Sequence, residues 1–152
     1  MTSPMMPIRN LIQELRANLT WKAFTAATGI SAVQVWKMEH LDQSCPPAKV
    51  KLLCDLAQKQ GRILSQTERL TLLLGGQRVE KLADLPLLLR GRTPLDTWLK
   101  QSGSQKSQAR ILGLDYSTIF HRRSGKFRRF WPARAVEIVR RSSYEIDLFN
   151  LC

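Results

Sequence analysis

The chain has 152 residues, which suits one domain or two very small ones, and its 43% hydrophobic and 24% charged content excludes wholesale disorder. No apolar run reaches the roughly 18 residues that a membrane span needs, so no membrane partner is expected. Charge is the unusual quantity: 24 Lys and Arg against 12 Asp and Glu leave a net of +12, which points to a polyanionic partner, nucleic acid first.

Almost every periodic segment reads as helix. Ile8, Leu11, Ile12 and Leu15 form one amphipathic stripe of a helix that begins near Pro7. A second helix runs from Thr20, a suitable N-cap, to about Thr28, and Gly29 ends it. A third starts at Ser31, with Gln34 three residues on in a capping-box pattern. A fourth follows Pro46 and Pro47, with Val50, Leu53, Cys54 and Ala57 on its inner face. A fifth opens at Ser65 with Glu68 as the second capping-box residue, and runs to Gly75 and Gly76. Residues 77–92 read as a Leu-rich connection, with Leu82, Leu85, Leu87, Leu88 and Leu89 around Pro86. Helices then resume: one after Thr93 and Pro94 carrying Leu95, Trp98 and Leu99, short ones over 105–112 and 115–123, and one from Pro132 with Ala135, Val136 and Val139 inward. Phe24, Trp98 and Trp131 read as core or near-core. Residues 144–149 alternate apolar and polar, the period of a short C-terminal β-strand.

Charge is uneven along this series. Residues 1–76 carry a net +4 and residues 77–152 a net +8, and between Arg122 and Arg141 eight basic residues stand against one acid, Glu137. Catalytic chemistry is poorly supplied by comparison. Cys45, Cys54 and Cys152 form no Cys-x-x-Cys, and with only His40 and His121 beside them no zinc site of ordinary spacing is expected. An odd cysteine count without a signal-like N-terminus fits a reducing, cytoplasmic compartment. Gly75 and Gly76 lack the Lys-Ser/Thr that follows a phosphate-cradling loop, and neither His has a nucleophile and acid in a local motif. No enzyme activity, cofactor or metal is expected.

Two segments share a pattern 84 residues apart: WKAFTAATGISAVQVWKMEHL over 21–41 and QKSQARILGLDYSTIFHRRSG over 105–125. Aligned on Gly29 and Gly113, both place a small residue four earlier (Thr25, Ala109). Both also place apolar residues one and six after the Gly (Ile30 and Val35; Leu114 and Ile119). This is helix-turn-helix spacing: the Gly makes the tight turn, the small residue lets the helices approach, and the apolar positions bury their crossing.

On these residues, with Met38-Glu39 and the following PPAKVKLLCDLAQ, residues 8–76 resemble the five-helix DNA-binding domain of the lambda-repressor-like family. The second unit resembles the Cro branch of that superfamily, through Gln105, Ala109, Leu112-Gly113, Ile119, Gly125-Lys126 and WPARAVEIVRR. The expected fold is therefore all-α: a lambda-repressor-like domain over 1–76, the connection over 77–92, and a Cro-like domain with its tail over 93–152.

The resemblance implies a transcriptional regulator, repressor or activator, of a phage, prophage, plasmid or other mobile element in bacterial cytoplasm, associated with the nucleoid. It would bind double-stranded operator DNA with the second helix of each unit in the major groove. In the second unit Tyr116, Ser117, Phe120 and His121 would face the groove. Gln105 and Lys106 would reach phosphates, and Arg122, Arg123, Lys126, Arg128 and Arg129 would hold the backbone. In the first unit the groove-facing set would be Ser31, Ala32, Val33, Gln34, Trp36 and Lys37, although its apolar members equally suit a protein contact. Phe127 and Phe130 read as core, with wedge or stacking roles as the alternative. His40 and His121 read as solvated or phosphate-side. A homodimer matching a twofold operator is expected, built through the Leu-rich connection or the tail, and RNA polymerase or an element protein are further partners. A DNA-packaging or recombination accessory factor, an RNA-binding regulator and an adaptor that reads no nucleic acid are the alternatives.

Overall fold

The computed structural model describes residues 8–101, 103–125 and 129–152. The chain divides into two compact units, the first ending at Ala83 and the second starting at Asp84. Nearly all regular structure in the described residues is helix.

The first unit holds α1 (Ile8–Arg16), α2 (Trp21–Thr28), α3 (Ala32–Leu41), α4 (Pro47–Lys59), α5 (Gln66–Leu74) and α6 (Gly76–Glu80). Its helix starts are set by capping chemistry. Thr20 Oγ1 accepts from Ala23 N at 3.1 Å, and Ser31 with Gln34 and Ser65 with Glu68 close full capping boxes. The stripe Ile8, Leu11, Ile12 and Leu15 is wholly buried, and Phe24, Ile30, Val35, Leu53 and Leu70 fill the same core. Cys54 is only half-buried.

Asp42 ties the end of α3 to the start of α6. It lies in the left-handed region at φ 52° and accepts from Gly76 N at 3.0 Å and Gln77 N at 2.8 Å. A Cβ at Gly75 would stand 2.9 Å from the Asp42 carbonyl oxygen, so this Gly-Gly pair serves close backbone approach.

The second unit holds α7 (Leu85–Leu88), α8 (Leu95–Gln101), α9 (Gln105–Leu112), α10 (Tyr116–Arg123), α11 (Pro132–Arg141) and α12 (Leu148–Leu151). Residues 77–92 are thus shared out: α6 belongs to the first unit, and α7 packs on α11 in the second. Asp84, just ahead of α7, accepts from Arg140 Nε at 2.8 Å, Arg140 Nη2 at 3.0 Å and Tyr144 Oη at 2.9 Å.

The expected C-terminal strand reduces to one parallel bridge between Thr93 and Ile146. Thr93 N donates to Glu145 O at 3.1 Å, and Asp147 N donates to Thr93 O at 2.8 Å. Asp147 then ends the extended run by capping α12, its Oδ1 accepting from Phe149 N at 3.0 Å. Asn150 Oδ1 in turn accepts from Leu95 N at 2.9 Å, at the head of α8. Ile146, Leu148 and Leu151 are buried in this unit's own core.

Two helix pairings recur in the two units. α1 packs on α3 and α2 on α4; likewise α8 packs on α10 and α9 on α11. α2 and α9 start 84 residues apart, as do α3 and α10, whereas α4 and α11 both open on a proline, 85 apart. The turns agree in backbone as well, with Gly29 at φ 68°, ψ 13° and Gly113 at φ 67°, ψ 30°.

Candidate nucleic-acid interface

α10 carries the face that sequence reasoning selected. Its inward side is Ile119, fully buried, and its outward side presents Tyr116 (56% exposed), Ser117, Phe120 (51% exposed) and His121. Phe120 and His121 meet edge to face, with ring centroids 5.7 Å apart. Asp115 occupies the N-cap position without a side-chain cap bond, so an exposed carboxylate stands at the head of this face. Lys106 is exposed at the start of α9, and Gln105 is half-buried beside it. Ser104 caps that helix through Ser107 N at 3.2 Å.

The two arginines at the end of α10 are both engaged within the unit, Arg122 buried and Arg123 exposed. Arg122 is buried, its side chain 4% exposed, and its Nε donates to Asp96 Oδ1 at 3.0 Å on α8. Arg123 Nη2 donates to Leu99 O at 3.1 Å, Gly103 O at 3.0 Å and Gln108 Oε1 at 2.7 Å. Arg122 is therefore turned inward, away from the exposed face expected of a phosphate contact, whereas Arg123 stays exposed while it ties α10 to the end of α8 and to Gln108 on α9. Register explains it. Arg122 falls at the position that buried Met38 holds in the first unit, and Gln108 at that of buried Phe24. A charged or amide side chain placed on an inward stripe must find partners there, and these do.

The first unit makes the same tie with opposite polarity. Arg16 on α1 pairs with Glu39 on α3 at 3.1 Å, whereas in the second unit the acid is on α8 and the cation on α10.

Exposed cations around the second pair lie elsewhere. Lys106 and Arg110 are exposed on α9, and Arg129 and Arg134 precede or open α11. Arg134 Nη2 donates to Gly113 O at 2.5 Å, placing its guanidinium against the turn ahead of α10. Arg141 lies over the same turn, close enough that a Cβ at Gly113 would meet its Cζ at 3.0 Å. Glu137, the acid on this helix, is engaged by Arg141 at 3.3 Å and Arg140 at 3.8 Å. Lys126, Phe127 and Arg128 lie outside the described residues.

On α3 the outward residues are Ala32, Val33, Trp36 and Lys37, matching 116, 117, 120 and 121 by position. Two of the polar residues expected to read bases are occupied at the helix head. Ser31 Oγ accepts from Gln34 N at 3.2 Å, while Gln34 Oε1 accepts from Ser31 N at 3.1 Å and from Lys49 Nζ at 2.9 Å. Trp36 stacks on His40 with centroids 4.7 Å apart, and Arg16 lies 4.1 Å over the Trp21 ring. The outward face of α3 is thus mainly apolar and aromatic.

Trp131 is also corrected. It is 80% exposed, not core. At the N-cap ahead of Pro132 its backbone is extended (φ −60°, ψ 145°), which swings the indole outward. Phe130 is half-buried and donates its N–H to Leu151 O at 2.8 Å.

Burial pushes the Cys45 thiol up to about 12 and the Cys152 thiol to about 11, keeping both in the unreactive protonated form. Among the described residues no group of three His, Cys, Asp or Glu side chains is arranged to hold a metal, and no helix is long and apolar enough to cross a membrane. Compared with protein-family models, curated proteins and solved structures, the chain matches none.

Proposed function

We propose that the chain is a sequence-specific DNA-binding transcriptional regulator built from two helix-turn-helix units, lambda-repressor-like and Cro-like. One observation carries the reading: an outward face of Tyr116, Ser117, Phe120 and His121 on α10, held by a left-handed glycine turn that recurs at Gly29 and flanked by exposed Lys106, Arg110 and Arg134. Tyr116 and Ser117 can hydrogen-bond base edges, and Phe120 can pack on a thymine methyl. The cations neutralise phosphates and fix the register of the helix in the major groove. By its resemblance the regulator belongs to a phage, prophage, plasmid or other mobile element, acting in bacterial cytoplasm as repressor or activator on operator DNA.

The outward Val33 and Trp36 favour a second role for α3, as the contact to another subunit or to polymerase, while α10 reads sequence. The tail does not serve as the dimer strand in this reading, because Ile146, Leu148 and Leu151 are consumed inside their own unit.

The test is selection of bound duplexes from a random pool at near-physiological salt with the full chain. A recurring motif with two related arms is the expected result, and Tyr116→Phe or Ser117→Ala should relax preference by roughly 1–3 kcal/mol per lost base contact. Salt-sensitive binding without a motif would move the protein to a packaging or recombination accessory role. Binding of RNA in place of duplex would overturn the DNA reading.

A further inference from the structure

We propose that Trp131 is a nucleic-acid contact in its own right: an indole on the basic surface of α11 that packs against the sugar-phosphate backbone of duplex DNA beside the site read by α10. The inference rests on the DNA-binding reading above and adds to it a residue that is aromatic, uncharged and outside the helix pair.

Three observations carry it. The indole is 80% exposed although it is the largest apolar group on its unit's surface, so it contributes little to the fold it sits on. Its backbone is nevertheless fixed on both sides. Phe130 N donates to Leu151 O at 2.8 Å, Pro132 opens α11, and Trp131 O accepts from Ala135 N at 2.9 Å. A side chain with two rotatable bonds on so rigid a frame loses little entropy on contact.

The third observation is placement and charge. One helical turn along from Trp131, Arg134 reaches the Gly113 carbonyl, so the helix bearing the indole is tied to the turn ahead of α10. Arg129 and Arg134 are the exposed charges on either side of it in sequence, and the next acid, Glu137, is engaged by Arg140 and Arg141. An apolar plate set among cations complements a polyanion that also carries C–H surface, and the deoxyribose-phosphate strand offers both. A contact to sugar and phosphate adds affinity without reading sequence.

The experiment uses the full chain and the duplex recovered from the random pool, with a scrambled duplex of equal length. Trp131→Ala should weaken both about 10-fold, the scale of partly burying one large apolar side chain, and leave the ratio between them unchanged. Trp131→Phe should restore most of the loss. The salt slope should stay as in the wild type, because no charge is removed, and the thermal midpoint should not move. In 5-fluorotryptophan-labelled protein, the resonance missing from Trp131→Phe should shift or broaden on adding duplex.

Equal affinity of Trp131→Ala and wild type, or a Trp131 resonance unmoved in the complex, would overturn this inference while leaving the DNA reading intact. So would loss of self-association by Trp131→Ala in sedimentation, which would make the indole a subunit contact. A resonance that moves with single-stranded RNA alone would overturn the duplex assignment. A wild-type chain that binds no duplex would remove the DNA reading itself.

Discussion

Asp84→Asn tests how the head of the second unit is held to α11. The carboxylate accepts two bonds from the Arg140 guanidinium and one from the Tyr144 hydroxyl, and the Arg140 bond chiefly lowers it from 3.8 to about 2. A fully shielded shift of that size is worth about 2.4 kcal/mol at neutral pH. Arg140 is 37% exposed, so solvent screens the pair and brings the expected contribution to about 1–2 kcal/mol. The sign follows from the direction of the shift. The folded state prefers the ionised acid, so the stabilisation is complete above the ordinary carboxyl range, near pH 4 and higher. It disappears as pH falls through about 2. Asn cannot ionise, so the variant should be less stable than wild type by about 1–2 kcal/mol at pH 7 and close to it at pH 2. Hydrogen exchange at the buried Ile138 and Val139 amides isolates the second unit from the first, and the difference between the two proteins removes the general effect of acid. A penalty of the same size at both pH values would refute the electrostatic argument and assign the effect to shape alone.

Substitutions at two further positions probe the packing. Gly91→Ala would put a Cβ 2.4 Å from Ile146 O and 2.9 Å from Tyr144 O, both backbone atoms, and should cost the second unit about 1–3 kcal/mol or more in urea unfolding. Arg122→Met should hold stability within about 1.5 kcal/mol, since Met fills the matching buried position in the first unit, whereas Arg122→Ala should lose about 2–3 kcal/mol. Neither Arg122 variant should change the salt dependence of duplex binding, whereas Lys106→Ala should flatten it by about one unit of slope.

Local chemistry made most helices legible. Thr20, Ser31, Ser65 and Pro132 announce starts, Gly29 and Gly113 announce turns, and the stripes at 8–15 and 135–139 announce inner faces. What the sequence concealed has a common cause, which is that residue type misreports burial where tertiary partners exist. Arg122 looks like surface charge, but its helical position points inward and Asp96 pairs with its Nε there. Gln108 hides the repeat for the same reason, replacing Phe24 in the matching slot. A one-residue shift between Pro47 and Pro132 breaks the 84-residue offset just where the next helices would have extended it. Trp131 errs the other way, an aromatic turned outward by the backbone before proline. Residues 144–149 alternate as a strand does, yet Thr93 offers a single bridge and Asp147 then starts a helix, a distinction that alternation alone does not encode.

The burial of Leu148 and Leu151 in the second unit bears on how the chain is made as well as on how it stands. The first unit has all its helices once residue 83 has been added. The second lacks a wall of its core, and the Asn150 cap of α8, until residue 151 has been added. At ordinary elongation rates the residues from 84 to 151 take about 3–14 s to add, and through that interval the first unit's helices are all made while the basic half is still being extended. For that interval the nascent protein displays α3 without α10, and any contact made by α3 can form before a contact made by α10.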